Sequence, residues 1–318
     1  MTSYRPKFHR EARFEAISEW SRQGVLVKRK PLPIEERFLA RVRERGGDFF
    51  LPLELKYSNN LEFNRQVAYI VDAYDALPSR VDIAFDSTWK ALESAISGGL
   101  PGGIGTTNSR ENLTMKLRRL AEEWQPAGPI IDKLLLAICD QSCEYLYSRL
   151  LLGTGEYSHP YSGKFPRSRL LSNCQSVREQ LRFLTILDST YGIGSSPTRR
   201  RNGAMFIRRA LQGERLTVSD GELALNLGAR SHLLLSGLMY SMRNERFHGE
   251  SFSPFISSEA TLKTYTHPFY AFICAYSLVH LVWASSDVND AGIALEGVID
   301  NVVHNLELAM RLFGRHWH

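Results

Sequence analysis

The chain has almost none of the punctuation that marks metal or nucleotide chemistry. It holds no H-E-x-x-H, no G-x-S-x-G and no cluster of carboxylates at metal-ligand spacing. Its glycine-rich stretch SGGLPGGIGTTNS, residues 97–109, has no lysine after the glycines and no strand signal before it. It therefore reads as a connector and not as a phosphate loop. Cysteines number four, at Cys139, Cys143, Cys174 and Cys274. Only the first two are close, and no further Cys or His stands at zinc spacing, so buried free thiols in a reducing compartment are expected. No metal and no cofactor are expected.

Long apolar runs are missing too. The greasiest segment, FYAFICAYSLVHLVWA at 269–284, falls short of the ~20 residues that span a bilayer, and it reads as a core helix. The N-terminus, MTSYRPKFHREARFEA, lacks the apolar region of a signal peptide. A cytoplasmic protein without a membrane partner is the expectation. Strand signals are scarce as well. Prolines interrupt LVKRKPLPIEERF and DFFLPLELKY near the start, where only short extended pieces are expected.

What the chain does have is helical periodicity. Val81, Phe85, Trp89, Leu92 and Ile96 recur at steps of three and four, one face of a helix. Asn108 or Ser109 is placed to cap the next helix, RENLTMKLRRLAEEW, and another is expected from about Ile130 to Leu152. Ser219 with Glu222 three residues on has the pattern of a capping box at the start of VSDGELALNLGARSHLLLSGLMYSM. Two further helices are expected at about 268–285 and 291–313. The fold class is an all-α antiparallel helical bundle over residues 71–318, with an irregular N-terminal extension over 1–70.

A net charge of +5 and a pI near 9.0 favour an anionic partner. The densest positive cluster is Arg199, Arg200, Arg201, Arg208, Arg209 and Arg215, which offers a footprint for backbone phosphates. His159, His232, His280 and His304 are expected in loops, core or surface without a chemical role. The stretch VSDGELALNLGARSHLLLSGL carries a faint helix-turn-helix pattern, which leaves a DNA-binding regulator as a lesser alternative.

The chemistry-bearing stretch is SGLMYSMRNERFHGESFSP, residues 236–254. On a helix, Asn244 and His248 share a face, and the long stem of Arg243 can swing its guanidinium to the same place. Cleavage of RNA without a metal needs these groups. An imidazole can take the 2′-OH proton or give one to the leaving 5′-oxygen, and an arginine fork can hold the charge gathering on the phosphorane. Arg246 inside the motif can also touch phosphate, and Glu222 and Glu250 are possible supporting partners. One heptapeptide has a single imidazole where the reaction wants an acid and a base. Two copies across a two-fold axis would supply both, so a homodimer is expected.

Arg243-Asn244-Glu245-Arg246-Phe247-His248-Gly249 resembles the R-x4-6-H motif of the HEPN superfamily, with its polar residue after the arginine. FDSTWKALE, residues 85–93, looks like an early helix of such bundles. The resemblance implies an all-α bundle and a metal-independent endoribonuclease that leaves 2′,3′-cyclic phosphate and 5′-OH ends. It carries over Arg243, Asn244 and His248 as the active-site residues. It also implies a toxin, anti-phage or stress-response setting, with RNA as substrate and a possible regulatory protein partner. A non-catalytic scaffold, or an RNA- or nucleotide-binding module on the same bundle, is the alternative.

Overall fold

A computed structural model describes residues 31–97, 100–101, 113–151, 164–171, 176–192, 196–219, 221–249, 260–286 and 288–318, together with residues 11 and 14. The expected caps at Asn108 and Ser109, and also His159, Cys174 and Glu250, lie outside the described residues. The protein is all-α, with one two-stranded antiparallel hairpin among the described residues.

Helix α1 (Pro33–Glu44) begins with Pro33 in its first turn, where the missing N–H costs nothing. It is followed by α2 (Leu61–Ala76), α3 (Val81–Ala95), α4 (Leu113–Glu122), α5 (Ala127–Leu136), α6 (Asp140–Leu151), α7 (Lys164–Leu171), α8 (Val177–Tyr191) and α9 (Pro197–Leu211). Strands β1 (Leu216–Val218) and β2 (Gly221–Leu223) come next. Then α10 (Leu227–His232) runs through a π-helical segment, Leu233–Met239, into α11 (Tyr240–Phe247). The chain closes with α12 (Leu262–Ala284), α13 (Leu295–Phe313) and a 3-10 turn, Gly314–His316.

The core centres on α12. The apolar run is longer than the sequence suggests, a 23-residue helix that passes for a bilayer span by length and composition, yet it is sheathed by other helices and buried from Tyr265 to Trp283 apart from His267. The stripe Val81, Phe85, Trp89 and Leu92 on α3, continued by Ile96 at its C-cap, is fully buried, as the spacing predicts, and α3 packs on α12. Helix α2 packs more extensively on α3 than on any other element, and Asn60 caps it by accepting from the Glu62 and Phe63 amides.

The expected division at residues 70 and 71 falls inside α2. Earlier described residues belong to the same core. Phe38 of α1 is fully buried and stacks on Tyr265 at 4.1 Å and on Phe313 at 5.8 Å. A strap around Leu51 is clamped to the bundle. The Leu51 amide donates to Asn305 Oδ1 at 2.7 Å, and its carbonyl accepts from Asn301 and Asn305 at 2.9 Å each. The Leu53 amide donates to the Tyr276 hydroxyl at 2.7 Å. Each bond satisfies a backbone group that would otherwise be desolvated against an apolar surface.

Two further expectations are corrected. The helix foreseen from Ile130 to Leu152 is two helices broken at 137–139, because Trp317 seats there. Its indole donates to the Ala137 carbonyl at 2.8 Å, and its own carbonyl accepts from the Asp140 amide at 3.0 Å. Ser219 starts no helix; it lies in the turn between β1 and β2, with Gly221 at φ +121°. Asn226 caps α10 instead, accepting from the Ala229 amide at 2.8 Å. The segment with the helix-turn-helix pattern is thus a hairpin and a helix whose continuation, Leu233–Met239, is wholly buried.

Candidate functional site

Helix α11 divides its side chains among three directions. Arg243, Arg246 and Phe247 follow one another at steps of three and one and face α3. Arg243 Nε donates to Glu93 Oε1 at 2.9 Å and its Nη2 to Glu93 Oε2 at 3.4 Å. Glu93 Oε1 also accepts from the Trp89 indole. The Arg243 guanidinium also lies 4.7 Å from the centroid of the Phe247 ring, and its Nη1 donates to Asn244 Oδ1 at 3.2 Å. Two of the three expected catalytic residues therefore touch.

The third stands apart. His248 is the C-cap of α11; its amide donates to the Asn244 carbonyl at 2.9 Å. Its side chain is exposed and makes no hydrogen bond among the described residues. Gly249 follows at φ +71°, a left-handed conformation that side-chain-bearing residues resist, and it ends the helix there. Asn244 and His248, four apart, line one face of the helix end.

Arg246, expected to touch phosphate, is engaged by carboxylates of α3. Its Nε and Nη2 donate to Asp86 at 2.6 Å each, Nη2 also reaches Asp82 at 3.2 Å, and only 10 % of the side chain is exposed. Burial lowers its pKa, but the Asp86 and Asp82 hydrogen bonds and charges outweigh that and hold it above the ordinary range. Asp82, fully buried, also receives the Arg80 fork at 2.9 Å on each oxygen.

On the remaining side, Glu245 pairs with Arg149 of α6 at 2.6 Å, and Arg149 lies 5.1 Å from the centroid of the Tyr145 ring. Burial pushes the Tyr145 hydroxyl well up, helped by the Glu245 charge. Next to them His267 Nδ1 lies 2.9 Å from Ser142 Oγ, and its ring stacks on Tyr145 at 4.6 Å. Burial, with the Arg149 and Arg246 charges behind it, lowers the His267 pKa to about 3, so this imidazole is neutral. Arg169 of α7 braces the π-helical segment: its Nε donates to the Ser236 carbonyl at 3.0 Å and its Nη2 to Ser241 Oγ at 2.7 Å. Burial brings its pKa down to about 10.

The arginines of α9 are exposed apart from half-buried Arg208. Most are already engaged. Arg208 binds Asp140 at 2.9 Å and His318 Nδ1 at 2.7 Å, Arg209 binds Glu214 at 2.6 Å, and Arg200 lies 3.8 Å from Glu144. Arg199 donates to the Gly192 carbonyl at 3.5 Å, and Arg201 is exposed. Helix α9 packs chiefly on α6, whose Arg149 also reaches α11, so α6 stands between the basic helix and the motif.

The sequence reading missed Asp82, Asp86 and Glu93, the carboxylates that organise the two arginines. Their spacing of four and seven on α3 was the available signal. His232 and His280 are buried as expected, and His304 is exposed. Glu222 lies in the hairpin. Among the described residues no group of His, Cys, Asp and Glu is disposed to hold a metal ion. No protein-family model, curated protein or solved structure matches the chain.

Proposed function

We propose that this protein is a metal-independent endoribonuclease whose site is Arg243, Asn244 and His248. The observation that carries the reading is the disposition of the R-N-x3-H-G heptapeptide. A guanidinium bonded to its neighbouring carboxamide sits one turn below an exposed imidazole at a helix end. In the proposed reaction an imidazole removes the ribose 2′-OH proton as that oxygen attacks the adjacent phosphorus. A second imidazole protonates the departing 5′-oxygen, leaving a 2′,3′-cyclic phosphate and a 5′-OH. Arg243 stabilises the pentacoordinate phosphorus, and Asn244 orients either the guanidinium or the phosphate. One chain offers one exposed imidazole at this helix end, so the scheme requires a homodimer with its two copies of α11 facing each other. A cytoplasmic toxin, defence or stress-response role is the setting this chemistry suits, with RNA as substrate.

One observation favours the alternative of a non-catalytic scaffold or RNA- or nucleotide-binding module. Arg243 and Arg246 are both held by carboxylates of α3, as purely structural arginines would be. The deciding experiment incubates mixed RNA with purified protein in EDTA, alongside His248→Ala and Arg243→Ala. Cleavage to cyclic-phosphate ends that falls at least a hundredfold in both variants supports the nuclease. Cleavage unchanged in His248→Ala, or none by the wild type, favours the scaffold.

A further inference from the structure

Far from α11 in sequence, the C-terminal ends of α1 and α13 converge on a cleft of about 630 Å³. Arg37, Arg41, Arg45, Arg315 and His316 line it, with Glu44 as the carboxylate among its lining residues. A second hollow of about 220 Å³ shares Arg45 and adds Arg311 and Asp48. Arg37 and Arg41 stand four apart on α1 with Arg45 at its C-cap, while Arg311 is in the last turn of α13 and Arg315 in the 3-10 turn that follows. Arginines from both helix ends thus line the two hollows.

Arginines at helix C-termini commonly offset the negative end of the helix dipole, and that accounts for part of this cluster. Each terminus carries roughly half a negative charge, so two termini and two carboxylates offset about three of the five cations. About two positive charges are left over. Arg41 is tied to the fold, donating to the Leu312 carbonyl at 3.0 Å and to Glu44 at 3.4 Å. Arg37, Arg45, Arg311 and Arg315 have exposed side chains and no carboxylate partner among the described residues. The field is felt inside the cleft. Burial and then the Arg315, Arg41 and Lys263 charges hold the His316 imidazole below its ordinary range.

We propose that this cleft binds the phosphates of a nucleotide-sized ligand. Arginine forks suit phosphate oxygens, which accept two parallel N–H bonds, and the surplus of about two charges matches a diphosphate better than a single carboxylate. The volume lies within the range of small-molecule sites. Half-buried His316 and the apolar wall at Leu262 and Phe313 can carry the rest of the ligand. The site is independent of the nuclease reading, since it shares no residue with α11. Its phosphates can come from a free nucleotide or from the phosphorylated end of an RNA.

The test measures binding of inorganic pyrophosphate and ADP by calorimetry, to the wild type and to a double variant, Arg45→Gln with Arg315→Gln. Both positions are exposed, so the fold survives, as circular dichroism will verify. Arg178→Gln, an exposed arginine on α8, is the control. Binding that weakens at least tenfold in the double variant and not in the control is the expected result. No pyrophosphate binding by the wild type at millimolar concentration, or equal weakening in the control, overturns the proposal. A third arm uses a six-nucleotide RNA with and without a 5′-phosphate. A preference for the phosphorylated form, lost in the double variant, assigns the cleft to RNA ends, and equal binding assigns it to free nucleotides.

Discussion

Arg243 and Glu93 meet across 150 positions of chain, with Nε 2.9 Å from Oε1, and the arginine that the sequence marks for chemistry is oriented by this contact. Three carboxylates of α3 hold two arginines of α11, but the two halves of the arrangement differ in depth. Glu93 and Arg243 keep 28 % and 21 % of their side chains exposed, while Asp82 is fully buried beneath Arg246.

That difference predicts unequal costs. Glu93→Ala leaves Arg243 on Phe247 and within reach of water, and should cost about 1 kcal/mol. Asp86→Ala strips a mostly buried guanidinium of its best partner and should cost about 3 kcal/mol. Urea melts of the two variants will check the order; equal midpoints would contradict it.

His248→Ala should leave stability within about 0.5 kcal/mol of wild type, since the exposed side chain supports no contact among the described residues. Lost RNA cleavage in a variant with an unchanged melting curve separates chemistry from folding. A drop of several degrees in melting temperature would mean that His248 is structural.

Association follows from the same reading. Native mass should be twice 36.2 kDa, and adding excess His248→Ala to the wild type should lower cleavage beyond simple dilution, because each mixed dimer keeps only one of the two imidazoles the shared groove needs. A monomer with full activity would rule out the composite site.

Acid should unfold this protein in a particular window. His232 and His280 are fully buried, and burial lowers each pKa to about 4. Unfolded imidazoles titrate near 6.5, so between pH 6.5 and 4 the unfolded chain binds protons that the native state refuses. The stability these groups protect is complete above pH 6.5 and declines as pH falls, by roughly 1.4 kcal/mol per pH unit for each imidazole. His280→Asn should flatten the decline measured by urea melts between pH 6 and 4.5; a slope equal to wild type would refute this account.

Gly203→Ala tests the seat of the basic helix. A Cβ there would lie 2.1 Å from the Tyr147 ring, so α9 must lift off α6, at a cost of 1–3 kcal/mol by the usual scale of overpacking. Full stability in this variant would mean that Tyr147 swings freely, despite its hydrogen bond to the Tyr191 carbonyl.

Much of the fold was legible because it is local. The α3 stripe, the core character of α12 and the helix end at Gly249 follow from periodicity and from glycine's freedom at positive φ. The misreadings come from partners distant in sequence or from competing turn signals. Residues 137–139 hold no proline or glycine, and what breaks the helix there is a tryptophan from the far end of the chain. The Leu51 strap looks irregular in isolation and is fixed only by Asn301, Asn305 and Tyr276. Ser219 with Glu222 matches a capping box, but Asp220-Gly221 is the stronger signal, because glycine at positive φ permits the hairpin turn. At the candidate site, Arg243, Asn244 and His248 stand out in the sequence as a spaced pattern, whereas Asp82 and Asp86 look like ordinary solvent-facing carboxylates until α11 is laid across them.

Helix α3 presents Phe85, Trp89 and Leu92 to the interior and, from the same fifteen residues, Asp82, Asp86 and Glu93 to the motif. A mutational screen scored only on activity would therefore flag both sides of this helix for unrelated reasons. Abundance would have to be read in parallel to tell a collapsed interior from a disarmed arginine.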